Sequence, residues 1–436
     1  MFLLIFSTFL DYFSGIKISE AKNQKNKKIW LIASICINLG FLGVFKYFNF
    51  FIGSFADLLH LSGIKIDVWT LNVVLPVGIS FYTFHGISYV IDIYKDRIKT
   101  EYNFIDYAVF VSFFPLLVAG PIERASHLLP QIKQNRVFDY DRIVDGLRQI
   151  LWGLFKKIVI ADTCAYFINE AFSVGSSNAG TSQQGLFLII GAILFGVQIY
   201  CDFSGYSDMA LGIANMFGIT LLRNFAYPYF SRSIAEFWRR WHISLSSWFR
   251  DYLYIPLGGN NGSPLIRSRN ILIVFLVSGF WHGAKWNFIV WGALHALYIL
   301  PSIWLKTNRN HLEIVAKDKI LPSLRDFANM LMTFLLVTFA WIFFRANTLS
   351  DAFSYIRRIF TTDFFVFKPT PYQSALPFLL LILIISEWFC RNKAHVLENI
   401  NKNISQTPIR WALYLVIIGF IFYFSNERQE FIYFQF

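Results

Sequence analysis

Residues Ile271–Ala293 read ILIVFLVSGFWHGAKWNFIVWGA, a run of about the length needed to cross a bilayer. Its ionisable side chains are His282 and Lys285. An ionisable group at membrane depth is costly and usually faces a cavity or a partner, which makes His282 a functional candidate. Gly279 and Gly283 bracket it and allow close approach of backbone or ligand. The alternative is a core histidine hydrogen-bonded to a neighbouring helix.

Composition carries this reading to the whole chain. Of 436 residues, 56% are hydrophobic, 19% aromatic and only 15% charged, and the mean hydropathy is +0.48. Soluble domains carry roughly 25% charged residues. The expected fold class is an all-α polytopic membrane protein in a lipid bilayer, with one membrane domain over 1–436 and no separate soluble domain. The net charge of +12 sits in short loops between apolar runs, which fits a positive-inside arrangement rather than nucleic acid. Lys17, Lys22, Lys25, Lys27 and Lys28 mark a cytoplasmic side. Cys36, Cys164, Cys201 and Cys390 form no CxxC or CxxH spacing, so neither a disulfide framework nor a metal site is indicated.

Apolar runs fall at Ile29–Phe55, Leu71–Ile93, Tyr107–Ala119, Ile150–Ala171, Gly185–Phe217, Ile271–Leu300, Phe327–Phe344, Ala375–Phe389 and Trp411–Tyr423. They predict roughly nine to eleven helices, some broken or re-entrant. Tyr107–Ala119 is too short to span and ends at Gly120-Pro121. Met1–Ile16 is also short, lacks the marks of a cleaved signal peptide and reads as the second half of a spanning helix.

Two further stretches concentrate chemistry. Ser231–Asn260, SRSIAEFWRRWHISLSSWFRDYLYIPLGGN, is dense in Trp and Arg. As one helix it would place Trp238 beside His242 and Glu236 beside Arg240, and its tryptophans suggest an interfacial segment near the cytoplasmic side. Gln198–Gly212, QIYCDFSGYSDMALG, sets Asp202 and Asp208 in an apolar helix, with Tyr206 one turn from Asp202. Buried acids need partners or a wet tunnel; pairing with Arg or Tyr of adjacent helices is the structural alternative. His295 reads as structural, because thirteen positions along a continuous helix puts it on a different face from His282. His60, His127, His311 and His395 read as loop or interface residues, and His85 is intermediate.

WRRWHISLSSWFRDYLYIPLGG followed by SGFWHGAKWNFIVWGALH resembles the membrane-bound O-acyltransferase (MBOAT) family, in particular its bacterial alginate O-acetylation branch. LPVGISFYTFHGISYVID from Leu75, FFPLLVAGPIERASHLLPQ from Phe113, QIYCDFSGYSDMALG from Gln198 and the terminal FIYFQF support it. The D-alanine-transfer relatives of teichoic acid pathways share the two-histidine layout. The resemblance implies a helical bundle with a central tunnel, re-entrant and interfacial helices, and a position in the bacterial inner membrane. It maps the catalytic histidines onto His282 and His242; Trp281, Trp238, Arg239, Asp202, Asp208 and Tyr206 are the candidate tunnel residues beside them. Family members usually carry further hydrophobic segments before the stretch matched by Asp11–Gly15, so N-terminal helices are expected to be missing here.

The implied reaction moves acetyl groups from a cytoplasmic thioester, acetyl-CoA or another, to a cell-surface polysaccharide such as an alginate-like polymer, cellulose or peptidoglycan. A periplasmic or extracellular acetyltransferase partner would pass the group on, and no bound cofactor is expected. Neutral imidazole suits the base that takes the hydroxyl proton. Trp281 and Trp238 N–H, glycine N–H groups and His242 are candidate oxyanion donors. His242 and His282 are expected to meet across one tunnel at about mid-bilayer. D-alanyl transfer to teichoic acid, a transporter using His282, Asp202 and Asp208 as a relay, and a non-catalytic scaffold remain as alternatives.

Overall fold

The computed structural model describes residues 2–64, 66, 69–71, 76, 78–117, 119–176 (174–176 as backbone), 185–361, 375–425 and 429–432. Leu75, Val77, Val118 and residues 433–436 of the resemblance stretches lie outside them. No β-strand occurs among the described residues. Seven helices there are long and apolar enough to cross a membrane, and Phe104–Leu116 and Leu376–Phe389 are apolar but shorter. The chain is an all-α, multi-pass membrane protein.

It divides into two compact units. The first, Met1–Phe138 with Gly218–Leu222, holds α1 (Phe2–Glu20), α2 (Gln24–Leu42), α3 (Phe48–Leu61), α4 (Ile79–Tyr94), α5 (Phe104–Ser112) and α6 (Ala125–Lys133). A buried polar knot ties α1 to α2. Asp11 accepts from Ser34 Oγ and Asn38 Nδ2, each at 2.7 Å. Gly86 of α4 faces that carboxylate, and a Cβ there would collide with it. The Gly-Pro-Ile-Glu-Arg stretch is anchored through buried Glu123, which accepts from the Leu222 N–H and pairs with His127 at 2.8 Å.

The second unit holds α7 (Tyr140–Leu154), a π-helical turn (Phe155–Ala161), α8 (Asp162–Ser176), α9 (Gly185–Met216), α10 (Ile234–Arg240), α11 (Ile243–Phe249), α12 (Pro264–His282), α13 (Trp286–Trp304), α14 (Leu324–Arg345), α15 (Leu349–Thr361), α16 (Leu376–Phe389), α17 (Ile400–Asn403) and α18 (Thr407–Phe424). α7 and α9 cross closely because Gly146 faces Gly212 and Gly153 faces Gly205, the small-residue contact that membrane helices use for close approach.

The run Ile271–Ala293 is not one span. Ser263 caps α12 and Pro264 occupies its first turn. The helix ends at His282, Gly283 turns extended, and α13 restarts at Trp286. The two helices pack as a hairpin with Gly279 against the Phe288 carbonyl and Gly292 against the Phe275 carbonyl. Side chains at those two positions would strike backbone. His282 therefore sits at the tip of a hairpin with 19-residue arms, not in mid-span.

The Trp-Arg stretch is likewise broken. α10 ends at Arg240, so Trp238 and His242 do not share a helix face. The Glu236–Arg240 pair does form, at 2.8 Å, with Arg232 on the other carboxylate oxygen. Trp241 and Trp248 are buried in protein, not set at an interface. Aromatic side chains bury large apolar areas, and here Trp241 packs on Phe225, Phe237 and Trp341.

Candidate active site

His242 is the junction residue between α10 and α11, with φ 43° and ψ 56°. A non-glycine residue in the left-handed region is uncommon and costs of order 1–3 kcal/mol, and such residues cluster at functional sites. Its ring is 1% exposed. Phe203 of α9 meets it edge-on at 4.7 Å between centroids, and Trp281 at 6.3 Å. Neither ring nitrogen has a hydrogen-bond partner among the described residues.

Burial pushes the His242 imidazole down to about 3. The ring is therefore neutral at pH 7. The unfolded chain, with an ordinary histidine near 6.5, binds the extra proton first as pH falls. The His242 contribution is thus intact above pH 6.5 and is lost as pH falls from there toward 3. Between pH 7 and pH 5 the wild type should lose about 2 kcal/mol more stability than His242→Asn, an amide that tolerates the same backbone. Thermal melting of both proteins across that range measures the difference; equal losses would place His242 in contact with water.

His282, also buried, lies among Trp281 (4.9 Å), Trp291 (5.1 Å) and Phe344 (5.3 Å). The Trp281 indole thus touches both candidate histidines. Residues forty positions apart are brought to one ring by the hairpin tip of α12 and the α10–α11 break.

A cavity of about 420 Å³ reaches their sequence neighbours, though neither histidine nor Trp281 is among its walls. Trp238, Arg239, Ile243 and Ser278 are among its walls, with Arg250 and Tyr254. Ile243 follows His242, and Ser278 lies one turn before His282 on the same face of α12. The walls are mainly apolar, the character of small-molecule sites that hold a ligand by a few placed polar groups.

Trp238 is not available as an oxyanion donor, because its Nε1–H donates to His295 Nδ1 at 3.2 Å. That bond makes Nδ1 the acceptor and leaves the ring proton of His295 on Nε2. His295 is buried and packs on Trp291, which also contacts His282. On a continuous helix His295 would fall on a different face from His282, but the break at Gly283 puts the two on separate helices, α13 and α12. Arg239 is spent on backbone: it donates to the carbonyls of Asn308, Asn310 and His311.

Asp202, Asp208 and Tyr206 are not among the walls of that cavity. Asp202 pairs with Lys157 at 3.1 Å and accepts the Ile432 N–H at 2.7 Å. Asp208 pairs with Lys156 at 2.7 Å and accepts from Gln149. Tyr206 lies beside Lys157 and against Phe431. Asp202 is buried and Asp208 half-buried, each with a partner as the structural alternative held, but the partners are lysines of the π-helical turn rather than Arg or Tyr. Asp208 and Lys156 instead line a second cavity of about 20 Å³, near the size of one water, with Tyr200 donating to Glu387 at 2.8 Å beside it.

Lys156, Lys157 and Glu387 are residues that sequence reasoning passed over, while His295, read as structural, holds the Trp238 indole. The signal was present for the first three, ionisable groups inside runs otherwise apolar. His395, expected at a loop or interface, is buried and sits 3.3 Å from Asp145.

The membrane-bound O-acyltransferase family profile matches residues 94–344, which include both histidines and the cavity. The chain belongs to the MBOAT family. It is 40% identical to the probable alginate O-acetylase AlgI of Pseudomonas aeruginosa over 83% of its own length and 66% of that protein's, so it spans about two thirds of that relative. It is 35% identical to the peptidoglycan O-acetyltransferase of Helicobacter pylori over 100% of its own length and 87% of that protein's. The teichoic acid D-alanyltransferase of Bacillus subtilis is 30% identical over 63% of this chain and 69% of its own. The family and branch expected from the motifs are those found. This MBOAT-family chain carries its two histidines on segments of broken helix, where a turn and a left-handed residue aim them at one indole.

Proposed function

We propose that this chain is an O-acetyltransferase of the inner membrane that moves acetyl groups from a cytoplasmic thioester toward O-acetylation of a cell-surface polysaccharide. The observation that carries the reading is the pair of buried histidines flanking Trp281, with Ile243 and Ser278, their neighbours in the chain and on α12, in the wall of an apolar cavity of about 420 Å³. Similarity to two O-acetylating relatives supports the acyl group and the acceptor class.

In this reading His282 takes the proton of the acceptor hydroxyl as its oxygen attacks the thioester carbonyl. The tetrahedral intermediate collapses with cleavage of the C–S bond, and the proton passes from His282 to the leaving thiolate. The hydroxyl belongs to the polysaccharide or to a periplasmic or extracellular partner that passes the group on. The donor enters from the side of Lys17–Lys28. D-alanyl transfer is less favoured, since identity to those relatives is lower and covers less of the chain. A relay through Asp202 and Asp208 would need uncommitted carboxylates, and both are ion-paired.

Purified protein in detergent should consume acetyl-CoA or another acetyl thioester, releasing free thiol, and faster when a hydroxyl acceptor is supplied. Release indistinguishable from that of protein-free detergent, with every thioester and acceptor tried, would end the enzyme reading.

A further inference from the structure

A third cavity, of about 200 Å³, lies at the junction of α8, α14 and α15, bounded by Asn169, Phe172, Ser173, Arg345, Asn347 and Asp351. Arg345 is the last residue of α14. Its guanidinium donates to Asn169 Oδ1 at 2.8 Å and lies 5.5 Å over the Phe172 ring. It pairs with no carboxylate among the described residues. The acid in the wall, Asp351, is committed to the cap of α15: its Oδ2 accepts the Thr348 N–H at 3.0 Å. Phe172 and Tyr355 form a buried aromatic floor, stacked at 4.5 Å, and Asn169 and Asn347 form an exposed amide rim.

We propose that this cavity binds an acidic sugar, with its carboxylate on Arg345, its hydroxyls on the rim amides and its ring over the aromatic floor. Arg presents parallel donors that match a carboxylate. The volume is below the 300–1,000 Å³ usual for whole small-molecule ligands, and suits one sugar unit rather than a thioester donor. The cavity also lies at the His282 end of the hairpin. Phe344, preceding Arg345, touches His282, and Asn287 near the start of α13 donates to the Ala346 carbonyl at 2.5 Å. An acidic polysaccharide held there would present neighbouring hydroxyls toward that end; this role as acceptor site rests on the acetyltransferase reading.

Saturation-transfer NMR on the purified protein tests the binding itself, with glucuronate as probe, glucose as neutral control and inorganic phosphate as competitor. Glucuronate should bind saturably and glucose should not. Arg345→Gln should weaken binding about tenfold or more, the scale of a charge-assisted hydrogen bond. Asp351→Asn should tighten it, because the amide keeps the helix cap and removes a like charge; a misfolded protein could not produce that gain. His282→Ala should bind glucuronate as the wild type does, so loss of acetylation and loss of sugar binding are separable. Equal binding of glucose, undiminished binding by Arg345→Gln, no gain with Asp351→Asn, or displacement by phosphate as effective as by glucuronate would each overturn the assignment, the last by making the cavity a phosphate or lipid-headgroup site.

Discussion

His282→Ala should lower acetyl transfer about 10²–10⁴-fold, the range a positioned general base supplies, while the protein still accumulates in the membrane. The fold does not depend on the imidazole. The α12–α13 hairpin is set by Gly279 and Gly292 against facing carbonyls, and the aromatic walls around His282 contact one another, as Trp291 does Phe344 and Trp341. Removing the ring leaves a void among these groups and costs packing energy, but it strands no buried charge. His282→Gln keeps a polar side chain of similar reach and restores the packing without a base at neutral pH. Transfer should be lost in both variants while melting temperature falls more in the alanine. Acetylation at the wild-type rate in either variant would remove His282 from the chemistry and leave it as one more member of the aromatic cluster.

How much of this was legible follows from what hydropathy can and cannot register. His282 stood out because one imidazole in an apolar run is a local anomaly. The helix break beside it did not, because Gly283-Ala284 leaves the average hydropathy of Ile271–Ala293 high while ending the backbone pattern. That one missed turn propagated: it placed His282 in mid-span and His295 on a remote face. The burial of Trp241 and Trp248 in the Trp-Arg stretch was hidden for a related reason. Tryptophan is as suited to a packed core as to a headgroup layer, and only the contacts of Trp241 with Phe225 and Trp341 decide between them. Arg239 and Trp238 are in the cavity wall, yet their donors go to carbonyls and to His295, partners 57 to 72 positions away. Asp202 and Asp208 were legible as acids inside an apolar helix; their cations were hidden in the run Ile150–Ala171, where two adjacent lysines are diluted by apolar neighbours.

Lys157→Met should destabilise the second unit by about 3–5 kcal/mol, the usual cost of removing one partner from a buried ion pair. Lys157 Nζ lies 2.6 Å from Asp162 and 3.1 Å from Asp202, and donates to the Gln429 carbonyl at 3.1 Å. All three ionisable side chains are buried. Taking away the cation strands two carboxylates, and burial already lifts Asp162 to about 6 against the pull of Lys157. A carboxyl whose folded pKa exceeds its unfolded value binds more protons when folded, so the variant should regain stability as pH falls through 6 toward 4 and lose it again on return to neutrality. Neutralising the stranded acids should act the same way at constant pH. The triple variant Lys157→Met, Asp162→Asn, Asp202→Asn should recover most of the loss, since a neutral replacement of a buried ion pair is often close to isoenergetic. The expected order of melting temperatures at pH 7 is wild type, then triple, then single variant. A single variant that melts with the wild type would show that water reaches the carboxylates, and would reopen them as a proton path beside the Phe203–His242 contact that α9 supplies.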